Sequence, residues 1–239
     1  MGFRPALWMT ICSLIALVLL IALGSWQIYR LQWKAELIAE FEERAHAAPQ
    51  AVIAIDANSP QRYQRVTAEG TWLHQYEVQL IGRTYEGTAG YHVITPLALT
   101  DGRIMLVNRG WVSQKYRMPD SRPSTLINDL VLVDGIIRLP AQKGYFVPEN
   151  NLEKNDWFTL SIADIARYHS LDGQLITNFT MDALRDPEAN TLPIGAAVDI
   201  NLPNNHLQYA ITWYGLALGL IGVYIAWHRA AGRFGRVKS

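Results

Sequence analysis

The sequence predicts an α+β membrane protein in which two transmembrane helices flank a mainly antiparallel β domain, a small barrel or sandwich with short helices. Three observations carry that prediction. No Asp, Glu, Lys, Arg or His lies between Arg4 and Arg30. Between Asp199 and Arg229 the only such residues are His206 and His228. Between these two apolar stretches, short β-rich runs alternate with turn residues.

A bilayer core takes about 20 apolar residues to cross as a helix, so residues 6–29 and 206–228 read as the two spans. All 21 acidic residues fall between Glu36 and Asp199, whereas Arg4, Arg229, Arg233, Arg236 and Lys238 flank the spans on the outside. Basic flanks stay cytoplasmic. Residues 1–5 and the basic tail 229–239 are therefore expected in the cytoplasm, with residues 30–205 exported to the periplasm of a bacterial inner membrane. Residues 31–205 carry 15 basic and 21 acidic side chains, a net of −6 that the neutral total conceals. Nothing in that balance points to nucleic acid. The lone cysteine, Cys12, lies in the first span, which leaves the exported domain without disulfide or thiolate metal site. A cleaved signal peptide ending near Ala22-Leu23-Gly24 is the rival reading, but the apolar run 6–28 is longer than a usual signal core. No Arg- and Ser-rich presequence precedes it, which argues for a bacterial rather than an organellar precursor.

Residues 31–48 read as a helical continuation of the first span, with Glu36, Glu40, Glu42 and Glu43 on its solvated side. Glu77-Val78-Gln79-Leu80-Ile81 alternates as a half-buried strand does. The runs 91–99 and 103–112 flank Asp101-Gly102, a hairpin signal. The runs 130–133 and 136–139 flank Asp134-Gly135, which is either another tight turn or a bulge in one long strand. Residues 157–160 form a further short strand. Ser161 caps a helix reaching Tyr168, with Asp164 in its first turn. Residues 174–179 close the β content, and residues 182–201 connect the sheet to the second span.

Catalytic signatures are missing: there is no G-x-S-x-G elbow, H-E-x-x-H, glycine-rich phosphate loop or C-x-x-C. His46, His74, His92 and His169 show no metal-ligand spacing and read as surface or core histidines. The membrane ends are more informative. Asn204 or Asn205 is a good N-cap, which puts His206 in the first turn of the second span. A histidine there is a candidate metal ligand through a ring nitrogen. Tyr209, Trp213 and Tyr224 lie near the His206 face. They are either an interfacial aromatic belt or a seat for a flat apolar macrocycle. Gly215, Gly219 and Gly222 form a stripe about 160–220° around the helix from His206. They are expected to pack on the first span near Ala16, Ala22 or Gly24, or else are merely tolerated. With a continuous helix, His206 then points away from the first span, open to a partner. At the outer end of the first span stand Trp26, Arg30 and Trp33. Arg30 and Lys34 are either snorkelling anchors or partners for propionates or phosphates.

These residues resemble a known family. Gly24-Ser25-Trp26-Gln27-Ile28-Tyr29-Arg30-Leu31-Gln32-Trp33-Lys34 is similar to the first-span signature of the surfeit locus protein one (Shy-one) family of terminal-oxidase assembly factors. Gly90-Tyr91-His92-Val93-Ile94-Thr95-Pro96-Leu97 resembles its central motif, and Val107-Asn108-Arg109-Gly110-Trp111-Val112 its next strand. Asn204-Asn205-His206-Leu207-Gln208-Tyr209-Ala210-Ile211-Thr212-Trp213-Tyr214 resembles its second-span start. The matches are collinear along nearly the whole chain. The resemblance implies a non-enzymatic role in building the haem–copper subunit of a cytochrome c or quinol oxidase. It implies transient binding of haem a, received from haem a synthase and passed to the catalytic subunit. The iron ligand would fall on His206, with Trp26, Arg30, Tyr209 and Trp213 around the ring and Arg30 or Arg109 at the propionates. A chaperone of the oxidase subunit that binds no haem is the alternative, in which the exported domain with Arg109-Gly110-Trp111 serves alone. A tethered hydrolase or sugar-binding domain is a further rival.

Overall fold

The computed structural model describes residues 2–141, 143–171, 173–186, 191–198 and 204–235. The two-residue strand β1 (Gly2–Phe3) precedes helix α1 (Leu7–Ala45), which is unbroken, as expected for a span that continues outward. The chain forms two compact units. One holds α1 as far as Ala39 together with the C-terminal helix; the other begins at Glu40 and holds the large sheet. Glu36, Glu42 and Glu43 are exposed, whereas Glu40 accepts from Arg44 at 2.7 Å and Arg62 at 2.6 Å. Phe41 and Ala45 are buried against Ile136 of the sheet.

The sheet unit contains β2 (Gln50–Ala51), β3 (Arg65–Trp72), β4 (Val78–Tyr85), β5 (Thr88–Leu99), β6 (Ile104–Ser113), β7 (Val131–Arg138) and β8 (Thr180–Ala183). Their order is β2-β3-β7-β8-β6-β5-β4, and β3 pairs a second time, with β5. That pairing, Gly70 to Leu99 through Trp72 to Leu97, closes β3, β7, β8, β6 and β5 into a ring. The barrel alternative therefore holds over the sandwich, with β2 and β4 attached outside the ring. Val66, Ala68, Leu97, Met105, Val107, Ile137, Phe179 and Met181 belong to the largest apolar cluster of this unit. Helix α2 (Ile162–His169) begins at Ser161, whose Oγ accepts from the Asp164 amide at 3.2 Å. It packs Ile162 and Ile165 with Val78, Leu80, Ile94 and Trp157.

Several strand expectations need correction. Asp134-Gly135 is neither turn nor bulge: β7 runs straight through it in unbroken register with β3. Met181 of β8 lies against Gly135, and the space a Cβ would need is taken by its side chain and by Asp182 O. Residues 157–160 make only an isolated bridge, Leu80 to Trp157, and residues 174–179 only Ile104 to Leu175. The large sheet's last strand is β8, which pairs antiparallel to β7 and parallel to β6, and its Asp182 and Ala183 fall in the stretch expected as connector. Glu77 and Gln79, expected on a solvated face, are buried.

Helix α3 (His206–Ala230) follows, and β9 (Phe234–Gly235) pairs antiparallel with β1. Arg236, Lys238, Pro203 and Asp199 lie outside the described residues. Both α1 and α3 are long and apolar enough to cross a membrane, and only 6% and 11% of their most apolar windows are buried. A core helix of a soluble body would be covered, so this open apolar surface suits lipid.

The two helices meet along a polar seam. His206 bonds Gln27, Tyr214 bonds Ser25 at 3.1 Å, Tyr224 bonds Thr10 at 2.7 Å, and His228 Nε2 accepts from the Ala6 amide at 3.3 Å. Ala210, Ala217 and His228 are buried on that seam. The glycine stripe is elsewhere: a Cβ at Gly215, Gly219 or Gly222 would meet nothing within 4 Å. His206 accordingly faces α1, not away from it. In lipid, apolar side chains gain nothing by choosing helix over hydrocarbon, so hydrogen-bonding groups decide which faces meet.

Candidate functional site

His206 is the first residue of α3 and is half-buried. Asn205 occupies the N-cap position but makes no side-chain cap bond. Instead, the imidazole is held from the side: Nδ1 donates to Oε1 of Gln27 at 2.7 Å. With the proton on Nδ1, the lone pair is on Nε2. Histidine ligands of metals are commonly oriented in this way, by a bond to the nitrogen that does not bind the metal. Gln27 was not singled out as a site residue; the signal for it was a polar amide inside an otherwise apolar span.

Tyr209 and Trp213 follow one and two turns on, the first 54% exposed and the second half-buried. Trp26 is also 54% exposed, and the Arg30 guanidinium lies 3.9 Å over the Trp33 ring. At about 100° per residue, Trp26 and Arg30 lie about 100° and 60° around α1 from Gln27, and Tyr209 and Trp213 about 60° and 20° around α3 from His206. The structure brings Gln27 to His206; no hydrogen bond joins Arg30 to His206 among the described residues.

The sheet unit holds a second polar site. Glu77 and Arg122 form an ion pair whose side chains are 1% and 2% exposed. Gln79 Nε2 and Thr95 Oγ1 donate to the same carboxylate at 2.9 and 3.3 Å. Arg122 also donates to Tyr116 O and Thr125 Oγ1. Beside it, Val93 pairs with Gly110 and Ile94 with Asn108, so Arg109 is the extra residue of a β-bulge. Bulges re-aim side chains, and here the Arg109 side chain lines a cavity of about 570 Å³. Its guanidinium lies 4.7 Å over the Trp72 ring and donates through Nη2 to Thr125 O at 2.8 Å. Burial, helped by the charge of Arg122 and opposed by Glu77, pushes Arg109 down to about 10, still cationic at neutral pH. Trp111 is buried, and its indole donates to Arg83 O at 3.4 Å. The 109–111 segment is thus folded into the domain rather than displayed on its surface.

Asn108 holds the back of the bulge. Its Oδ1 accepts from the Gly110 amide, and its Nδ2 donates to His92 Nδ1 at 3.2 Å and Asp182 Oδ1 at 2.9 Å. Asp182 also pairs with Arg138 at 2.6 Å. Burial, then the nearby Arg83 charge, lowers the His92 pKa, while Asp182 opposes; burial lowers that of His169 as well. Both imidazoles are thus favoured neutral in the fold, while the unfolded chain takes up protons near pH 6.5. Stability from these groups is complete above that value and is lost as pH falls through their folded pKa values. Unfolding midpoints of the detergent-solubilised protein should fall between pH 7.5 and 5, and His92→Gln should flatten part of that slope. A slope unchanged by the substitution would count against this assignment.

The chain matches the SURF1 family over residues 14–218. It belongs to that family. The match extends into both apolar helices, so they are part of the SURF1 unit rather than appendages to it. A SURF1-like protein of Monosiga brevicollis is 33% identical over 228 residues, covering 90% of this chain and 85% of the relative. Surfeit locus protein 1 of Mus musculus is 34% identical over 213 residues, 81% of this chain and 67% of the mouse protein. The Homo sapiens protein of the same name is 34% identical over 215 residues, with 82% and 69% covered. The SURF1 resemblance read from the four sequence motifs is thereby established, and those motifs fall on the α1 seam, β5, the bulged β6 and the start of α3.

Proposed function

We propose that this SURF1-family chain is a non-enzymatic assembly factor for a haem–copper terminal oxidase, which holds haem a on His206 and releases it to the catalytic subunit. The observation that carries the reading is the Gln27–His206 bond, which orients one imidazole with its lone pair on Nε2. Tyr209, Trp213 and Trp26 supply aromatic surface nearby, and Arg30 a cation for a propionate. His206 would hold the haem iron through its Nε2, and the haem would supply the open coordination site for it. The chain's own part is to orient the ring and shelter an apolar ligand beside lipid. Release needs only that the oxidase subunit offer better ligands, so no covalent step is required of this chain. In this reading haem a synthase is the donor, the membrane is the bacterial inner membrane, both termini are cytoplasmic and the sheet unit is periplasmic.

The test is co-expression with haem a biosynthesis, purification in mild detergent and absorption spectroscopy. A Soret band is expected that His206→Ala abolishes. Gln27→Ala should weaken haem affinity by about 10–100-fold, the usual effect of removing the group that orients a metal-binding histidine. Haem content indifferent to His206→Ala would remove the carrier reading. Haem-free wild type from haem a-producing cells would leave a chaperone role for the exported domain.

A further inference from the structure

Among the described residues, the cavity beside Arg109 carries more positive than negative charge. Arg109 and Arg122 bring two guanidinium charges to it, and Glu77 neutralises one through Arg122. Arg109 Nη1 is buried and has no hydrogen-bond partner among the described residues. Buried cations without a counter-charge, and buried donors without an acceptor, are both costly. Such a group calls for an explanation, and a bound anion is one that also answers the excess positive charge. The remaining lining fits an organic ligand. Trp72, Ile127 and Pro193 give apolar walls, and Ser121, Ser124 and Thr191 bring hydroxyl groups.

We propose that this cavity is a binding site for a small organic oxyanion, a carboxylate or phosphate ester, held by the guanidinium of Arg109 at its wall. The guanidinium fork suits the planar carboxylate or the phosphate, and its stacking on Trp72 holds the fork in place. About 570 Å³ accommodates a body larger than the anionic group itself. The β-bulge supplies the geometry: without the extra residue in β6, position 109 would stay in the ladder alternation. The site uses residues of the sheet unit only and does not depend on haem binding by His206.

Thermal unfolding of the full-length protein in detergent, at pH 7 and constant ionic strength, tests the proposal. The probes are sodium benzoate, acetate and phosphate, with chloride as the reference. A probe at ten times its Kd should raise Tm by about 3–6 °C. Benzoate ahead of acetate supports a carboxylate with an apolar body; phosphate ahead of both supports a phosphate ester. Arg109→Gln should weaken the response at least tenfold, read against the variant's own ligand-free Tm, because it removes the cation that holds the anion. Arg109→Lys keeps the charge but not the fork, and should respond more weakly than wild type. His206→Ala should respond as wild type does, which separates this site from the haem reading. No probe shifting the wild-type Tm beyond chloride would overturn the proposal, as would an undiminished response in Arg109→Gln or Arg109→Lys.

Discussion

Glu77→Ala is expected to cost about 3–5 kcal/mol of folding stability, the usual effect of breaking a buried ion pair from one side. The carboxylate is the only acidic group bonded to Arg122 among the described residues, and it also receives Gln79 and Thr95. Its removal leaves Arg122 and Arg109 as two buried cations facing each other without a counter-charge, and three donors lose an acceptor. For a chain of this length, the loss corresponds to a fall in Tm of roughly 6–20 °C. Glu77→Gln keeps the shape but not the charge and should fall between wild type and alanine. Replacing the pair together, as Glu77→Leu with Arg122→Met, should recover much of the loss, because no unpaired charge is then left at either position. Recovery should be incomplete, since Arg109 also loses its nearest negative charge. Differential scanning of the four proteins in one detergent decides the matter. A Glu77→Ala midpoint within about 2 °C of wild type would show that this site is hydrated or can rearrange.

The same residues show what the sequence could and could not reveal. The two long apolar helices were legible because an uncharged run of about 20 residues can be read without tertiary information. The Ser161 cap and the Asp101-Gly102 turn were legible because their chemistry is local. Glu77 and Gln79 were misread because period two says which side chains share a face, not whether that face meets water or a buried arginine from 45 residues away. Barrel closure rests on β3 meeting β5, and β8 is placed by pairing with two strands distant in sequence. No local pattern encodes either. On α3, small residues suggested the wrong contact face. The Gly215, Gly219 and Gly222 stripe is open, and the seam follows residues with hydrogen-bond partners on α1. His206 was found from its helix end and from family resemblance, whereas Gln27 needed the partner helix to be in place.

Gly110→Ala should be the most damaging single-methyl change in the barrel wall. Gly110 has φ +117°, a conformation that favours glycine, and a Cβ there would lie 2.0 Å from the Ile194 carbonyl oxygen. That oxygen cannot simply move aside, because Trp111 and Ile194 exchange two backbone hydrogen bonds of 2.8 Å. Backbone strain and overpacking together cost roughly 2–6 kcal/mol. Gly102→Ala is the matched control. Its φ of +88° is also left to glycine, but a Cβ there would meet nothing within 4 Å, so only the strain part applies. Unfolding of the two variants side by side should therefore show Gly110→Ala several degrees below Gly102→Ala. The damage should also reach Arg109, since the Asn108 Oδ1 bond to the Gly110 amide shapes the bulge that aims the guanidinium into the cavity. Loss of anion-dependent stabilisation in Gly110→Ala but not in Gly102→Ala is the expected companion result. Equal midpoints in the two variants would mean that the 194 segment yields to the methyl group, and that the bulge is not clamped from that side.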